Sequence, residues 1–169
     1  MARLISPFFA TLFAATVGAI VAYADPTAER CNDVGELTFE NWEEWTLITP
    51  KPVISEGHGN SWVKVYVNEL AEDTYLSAGA PYPECAKVVK PLYSDAEGTR
   101  VDKITIMIKM ATGYDPKNSD WWYALSNGPG TFLIEQGRVD NCILCHKEAA
   151  ESDSGPKLIH SSWSLGDMN

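Results

Sequence analysis

The clearest structural signal in this chain is Val101-Asp102-Lys103-Ile104-Thr105-Ile106-Met107-Ile108-Lys109-Met110. Ile104, Ile106 and Ile108 recur at every second position, and Met110 continues the series. Side chains at every second position of an extended chain share one face, and β-branched residues in this alternation are typical of a strand. We therefore predict a strand over residues 101–110 with one apolar face.

Shorter segments with the same alternation flank this strand. Residues 62–67 place three valines on one face, and residues 86–90 alternate until Pro91, which we expect to end the strand. Residues 121–125 form a further predicted strand. Turns that contain glycine and proline separate these segments, and this arrangement favours an antiparallel sheet.

The helical patterns in the chain are few. Aromatic residues three apart predict a short helix over 36–47, and the apolar spacing of residues 68–77 predicts another. A third helix is predicted to begin near Asp140, a residue type that favours the N-cap position. We therefore assign the chain to the α+β class, with a mainly antiparallel β-sheet, a few short helices and a single domain over 25–169.

The last predicted helix contains Cys142-Ile143-Leu144-Cys145-His146, a C-x-x-C-H motif. Residues three and four apart share one face of a helix, so both sulfurs can bond the vinyl groups on one edge of a haem. The adjacent imidazole can then bind the iron. The motif predicts one covalently attached haem c, with Cys142 and Cys145 as its thioether anchors and His146 as its iron ligand.

Two other interpretations of this motif remain open. A redox-active dithiol of the thioredoxin type lies near a βαβ pattern, and no such pattern is evident here. A zinc site needs a further ligand, and the remaining histidines are His58 and His160. We expect these two histidines to be surface loop residues; a role as sixth iron ligand or proton carrier is the alternative.

The N-terminus has the pattern of an export signal. Arg3 supplies a positive charge, residues 4–24 are apolar or small and uncharged, and Ala22-Tyr23-Ala24 forms an A-x-A cleavage pattern before Asp25. We predict a cleaved signal peptide over 1–24 and a periplasmic mature protein. An uncleaved membrane anchor is the alternative, because the apolar segment is long enough to span a bilayer.

The mature chain is strongly acidic. Without the leader, 12 basic residues stand against 23 acidic ones, a formal charge of −11. This charge makes nucleic acid an unsuitable partner, because binding to phosphates requires basic residues. It suits a soluble protein that docks to a basic redox partner, such as a periplasmic electron acceptor.

Two cysteines remain outside the C-x-x-C-H motif. In an oxidising compartment, Cys31 and Cys85 are most simply explained as a disulfide that ties the N-terminal segment to the middle of the domain. Two buried free thiols are the alternative.

Taken in order, several short motifs of the mature chain resemble those of the cytochrome P-460 family. The quoted segments are Trp42 to Trp45, Gly57-His58-Gly59-Asn60, Val65-Tyr66-Val67-Asn68, Tyr82-Pro83-Glu84, Val88-Val89-Lys90, Met107-Ile108-Lys109, Gly113-Tyr114-Asp115-Pro116, Asp120-Trp121-Trp122 and the late motif Cys142 to His146. The order of these segments, together with the position of the haem motif close to the C-terminus, carries the resemblance.

The resemblance implies a homodimeric, mainly β protein with one five-coordinate haem. Family members with P-460 chemistry oxidise hydroxylamine to nitrous oxide or nitric oxide, and their haem carries a third protein link, from a lysine amine to a meso carbon. The matching position here is Lys90. Relatives called cytochrome c′-beta share the fold and bind nitric oxide and similar gases. A non-enzymatic gas-binding or electron-transfer protein is therefore the alternative function.

The pattern of the strands also predicts the surroundings of the haem. We expect the valines at 63, 65 and 67 and the isoleucines at 104, 106 and 108 to face inward. A pocket lined only by these side chains has no proton acceptor unless Glu135 or Asp140 reaches into it.

The sequence also predicts the positions of two further pairs of residues. Met107 and Met110 lie on opposite faces of their predicted strand, with core packing as the default for both. We expect Trp121 and Trp122 to divide between core and surface.

Overall fold

The computed structural model describes Cys31, Val34 and residues 39–76 and 81–151. These residues form an antiparallel sheet and two α-helices, which confirms the α+β assignment. The strands are β1 (Thr46–Leu47), β2 (Val53–Ser55), β3 (Ser61–Val63), β4 (Tyr66–Val67), β5 (Lys87–Tyr93), β6 (Val101–Lys109), β7 (Trp121–Asn127) and β8 (Leu133–Gly137). The helices are α1 (Glu69–Leu76) and α2 (Asp140–Glu151), and short 3-10 turns span Trp42–Glu44, Glu56–His58 and Pro116–Asn118.

Strand β5 lies at the centre of the sheet. Along one edge it pairs with β6, which is followed by β7 and β8. Its other edge is shared by two short strands: β4 pairs with its first half and β3 with its second half. The sheet then continues outward through β1, which pairs with β4, and through β2, which pairs with β3.

Two predictions, one about β5 and one about its neighbour, were wrong in the same place. Strand β5 continues through Pro91 to Tyr93, and residues 62–67 form two strands instead of one. The break between β3 and β4 lies opposite Lys90 and Pro91, as the flanking registers of these strands show. Proline cannot donate a hydrogen bond to a neighbouring strand, so a central strand tolerates it best where the ladder is interrupted.

Val65, which lies between β3 and β4, forms its backbone hydrogen bonds with residues outside β5. The backbone N–H of Val65 donates to Oγ1 of the fully buried Thr49 at 2.8 Å, and the Val65 carbonyl accepts from the N–H of Ile48 at 2.8 Å. A buried backbone group without a partner is costly. The hydrogen bonds to Thr49 and Ile48 replace those that β5 would supply, so the chain can leave β5 after β3 and pair with it again in β4.

The two faces of the sheet support separate apolar clusters. One face carries Ile104, Ile106 and Ile108 of β6 together with Met110. Met107 lies on the other face, so both methionines pack in the core, as predicted. Trp121 and Trp122 also point to opposite faces and both are buried, which corrects the expectation that one of them is exposed.

The predicted helices differ from the observed ones mainly at the N-terminus. Within 39–47 the chain forms the 3-10 turn Trp42–Glu44 and then β1, instead of a helix. A spacing of three residues fits a 3-10 turn as well as an α-helix, and pairing with β4 then draws the next two residues into a strand. Helix α1 confirms the second prediction, with Asn68 Oδ1 accepting a hydrogen bond from the N–H of Ala71 at 3.2 Å.

Helix α2 begins at Asp140, close to the predicted position. The N-cap assignment was wrong by one residue, because the Val139 carbonyl already accepts the first helical hydrogen bond, from the N–H of Ile143 at 3.0 Å. Asp140 is instead the first helical residue, where its carboxylate still faces the positive end of the helix dipole.

A disulfide joins Cys31 and Cys85, as predicted, and ties the N-terminal segment to the residues just before β5. The predicted signal peptide over 1–24 lies outside the described residues. Within the part of the chain that the structure describes, no helix has the length and apolar character needed to cross a membrane.

The Thr49–Val65 hydrogen bond gives a stability prediction. Replacing Thr49 with Val keeps the shape of the side chain but leaves the Val65 N–H without its acceptor, so the free energy of unfolding should fall by about 1–3 kcal/mol. Urea denaturation followed by tryptophan fluorescence measures this loss. Thr46→Val is the matched control: it removes a partly buried hydroxyl that donates to Glu72, and it should lower the free energy of unfolding by less. Equal losses in the two variants would contradict the proposed importance of the Thr49–Val65 hydrogen bond.

Candidate functional site

A cavity of about 760 Å³ lies between one face of the sheet, the turn that connects β2 to β3, and helix α2. This volume falls within the range of pockets that bind small molecules and cofactors, about 300–1,000 Å³. The predicted anchor residues Cys142, Cys145 and His146 all line the cavity, and so does Lys90.

The wall formed by the sheet is mostly apolar, but its composition differs from the prediction. Val63 and Val65 line the cavity as expected, whereas Val67 is buried but does not line it. From β6 the cavity receives Thr105 and Met107, and of the three isoleucines on that strand only Ile106 borders it. The reason is the pleat: alternate side chains of β6 point to opposite faces, and the isoleucines belong to the other cluster.

Helix α2 presents its two cysteines side by side. Cys142 is half-buried and Cys145 is exposed, and both are free thiols. Their spacing along the helix places them on one edge of the cavity. Burial, with smaller contributions from Glu135 and Cys145, raises the pKa of the Cys142 thiol.

His146 points from the same helix into the cavity. Its ring centroid lies 5.5 Å from that of Tyr123 and 6.3 Å from that of His58. Burial, followed by the nearby Lys90 and His58, lowers the pKa of His146 to about 3. The imidazole is therefore neutral at physiological pH, which is the form that binds a metal ion.

Lys90 lies on the cavity face of β5 and only 5% of its surface is exposed. Burial lowers the pKa of its amine to about 7, so a large fraction of the side chain is uncharged near neutral pH. Lys87 lies on the same strand, also buried, but its ammonium lies 5.9 Å from the centre of the Trp45 ring. The alternation along β5 thus separates two lysines into different environments.

His58 was assigned to the surface and this assignment was wrong. It ends the 3-10 turn Glu56–His58, is half-buried, and faces His146 in the cavity. Ser55 Oγ lies 2.7 Å from its Nδ1, and burial, together with Lys90, lowers the pKa of His58 to about 3. The signal that the sequence offered was the position of His58 within the Gly57-His58-Gly59-Asn60 motif.

The expected proton acceptors are also different. Glu135 and Asp140 are exposed and do not line the cavity, whereas Glu56 does so from the β2–β3 turn. His160 lies outside the described residues.

The residues around the cavity fit a haem. The sheet supplies an apolar surface, α2 supplies two thiols and an imidazole on one edge, and the buried hydroxyl of Tyr123 has no hydrogen-bond partner among the described residues. A zinc centre fits less well, because the described residues contain no group of three or more His, Cys, Asp or Glu side chains arranged to hold a metal ion. Cys142, Cys145 and His146 therefore remain the predicted haem attachment.

This attachment predicts a specific pattern of haem loss. In the triple variant Cys142→Ala/Cys145→Ala/Lys90→Leu, the haem should be extracted by acidified acetone, because both thioether bonds and the lysine link that the family resemblance implies are absent. Each single cysteine variant should retain its pigment through the remaining bonds. Intact mass spectrometry measures the outcome. The control Cys31→Ser/Cys85→Ser should keep its haem mass while its stability falls by about 2–5 kcal/mol. Haem loss in the control, with retention in the triple variant, would refute the assignment.

The comparison with protein families agrees with this site. The family model described as Cytochrome P460 matches residues 39–154, well over half of the chain. A comparison with curated proteins finds none that matches. The match covers the central sheet, the cavity and helix α2, and it implies that a haem is the cofactor. The chain belongs to the cytochrome P460 family of haem proteins.

Proposed function

We propose that this protein is an exported haem c protein that oxidises hydroxylamine to nitrous oxide or nitric oxide. The observation that carries the proposal is the cavity, in which a buried lysine amine and a Cys-Cys-His set face the same space. In this arrangement Cys142 and Cys145 would hold one haem by thioether bonds, and His146 would bind its iron.

The haem, when bound, supplies a redox centre that takes electrons from the substrate. Two hydroxylamine molecules that form one nitrous oxide and one water release four electrons and four protons, and one hydroxylamine that forms nitric oxide releases three of each. The protein must therefore remove protons as well as electrons. Glu56 borders the cavity and is exposed, so its carboxylate can take up protons from the site and pass them to solvent.

Lys90 is the proposed third attachment point of the haem. The amine is buried on the wall of the cavity, and its lowered pKa leaves a large fraction of it unprotonated near neutral pH, which is the state that forms bonds to carbon. Formation of the N–C link replaces one N–H and one C–H bond, so two electrons and two protons must pass to an oxidant such as peroxide. A third link would distort the macrocycle and so change its electronic properties.

The link gives a spectroscopic prediction. Wild-type protein should show a strongly red-shifted ferrous Soret band, and Lys90→Leu should return the band to that of an ordinary haem c because the extra link is lost. Lys87→Leu is the matched control: it removes a buried lysine from the opposite face of the same strand and should leave the band unchanged. A wild-type spectrum like that of ordinary haem c would exclude the link.

A second function is favoured by a different observation. Much of the cavity wall is apolar, with Val63, Val65, Val88 and Met107 facing the site. Such a wall favours a small neutral gas such as nitric oxide over a reaction that releases protons. The second candidate is therefore a non-enzymatic nitric oxide-binding or electron-transfer protein of the cytochrome c′-beta type.

Steady-state turnover separates the two functions. With hydroxylamine and a chemical electron acceptor, the enzyme should reduce the acceptor catalytically, and Glu56→Gln should lower kcat by about 10²-fold or more if its carboxylate takes up the protons. Glu69→Gln is the control: it removes an exposed carboxylate of helix α1 that does not line the cavity, and it should leave kcat unchanged. Hydroxylamine or nitric oxide binding without reduction of the acceptor would favour the gas-binding function.

The remaining parts of the proposal concern the cellular setting. A cleaved leader over 1–24 would deliver the protein to the periplasm, where the mature charge of −11, 12 basic residues against 23 acidic ones, suits docking to a basic electron acceptor. We also propose a homodimer. Exposed apolar side chains on and beside the outer strand β8, Phe132 and Ile134, offer part of a surface that a second copy can cover.

A further inference from the structure

We propose that His58 is the second axial ligand of the haem iron in the resting protein, and that substrate or gas must displace it. This inference rests on the haem placement proposed above. The observation behind it is the pair of imidazoles that face each other in the cavity, one from helix α2 and one from the β2–β3 turn, with ring centroids 6.3 Å apart.

The distance between the rings fits ligation better than a role as a proton acceptor. An imidazole nitrogen binds a metal ion at about 2 Å, and the ring centre lies roughly 1 Å farther out, so two imidazoles on opposite sides of one ion have centres about 6 Å apart. The observed separation of 6.3 Å agrees with this value. A base that acted on an iron-bound substrate would lie farther away, because the substrate atom and a hydrogen bond of about 2.9 Å would separate it from the iron.

The contact that His58 makes with Ser55 is also one expected of a ligand. Ser55 Oγ lies 2.7 Å from Nδ1, so one ring nitrogen is engaged by the protein and Nε2 is left for a metal. Histidines that bind metals almost always use their second nitrogen in such a contact, which holds the ring in position and selects the tautomer. His58 thus has the second contact expected of a ligand.

The element that carries His58 explains how the ligand can leave. The turn Glu56–His58 connects β2 and β3, two strands of three residues each at the margin of the sheet. Gly57 and Gly59 flank the histidine, and neither has a neighbouring atom within 4 Å of the position that a Cβ would occupy. A short turn with free space around it can shift, whereas His146 lies within the twelve-residue helix α2. His58 is therefore the exchangeable ligand of the pair.

The spin state of the purified ferric haem protein tests the inference without relying on activity. Wild-type protein should give the optical and EPR signals of a low-spin, six-coordinate haem, and His58→Ala should convert it to a high-spin, five-coordinate haem. Added imidazole should restore the low-spin signal in the variant. Cyanide should bind His58→Ala more tightly than wild type, roughly tenfold if the wild-type site is open about a tenth of the time.

Two control variants separate ligation from a general effect on the turn. Glu56→Gln changes the same turn and should leave the haem low-spin, whereas Ser55→Ala should keep His58 as ligand but speed its exchange with cyanide. A high-spin wild type, or a low-spin state that persists in His58→Ala, would overturn the inference. These readouts do not use hydroxylamine, so they are independent of the proposed enzymatic function. Loss of the low-spin signal in His58→Ala supports the ligand assignment even if the protein does not turn over hydroxylamine. Turnover by a wild-type protein that is high-spin refutes the ligand assignment but not the enzymatic function.

Discussion

The packing of helix α2 against the sheet is the interaction on which the functional site depends. Cys142 and Ile143 pack against the apolar cluster that contains Val88 and Met107 of the central strands, and this contact fixes the rotation of the helix. Because residues three and four apart share a helix face, the same rotation that buries Cys142 also directs His146 into the cavity. One packing contact thus positions all three residues of the motif.

The central strand β5 adds a second constraint, because it carries a buried amine into the same space. Burial disfavours the charged form of Lys90 and costs free energy of folding, and a buried amine with a lowered pKa in a cavity is a candidate functional group. The strand also contains Pro91, whose missing N–H coincides with the break between β3 and β4. That break allows the two short strands to separate, and β3 together with β2 then carries the turn that holds His58.

The sequence predicted the parts that depend on local periodicity. Strand β6 and helix α1 have strong repeats of their own, and the family resemblance together with the alternation along β5 placed Lys90 on the cavity side. The structural features that could not be predicted from the sequence depend on contacts between distant segments. The continuation of β5 through Pro91 requires a neighbour that leaves the ladder, and the burial of His58 requires the β2–β3 turn to fold over the cavity. The family motif around His58 was the signal that the sequence offered for it, but no hydrophobic periodicity in either segment encodes these contacts.

The central claim is that one iron is bound inside this cavity by the imidazole of His146. A crystal structure of the mature protein, with anomalous data collected at the iron edge, tests it most directly. The account predicts a single iron peak within bonding distance of the His146 ring, with continuous density from the macrocycle to Cys142 and Cys145. A peak only at the zinc edge, or an iron outside the space between α2 and the sheet, would contradict it.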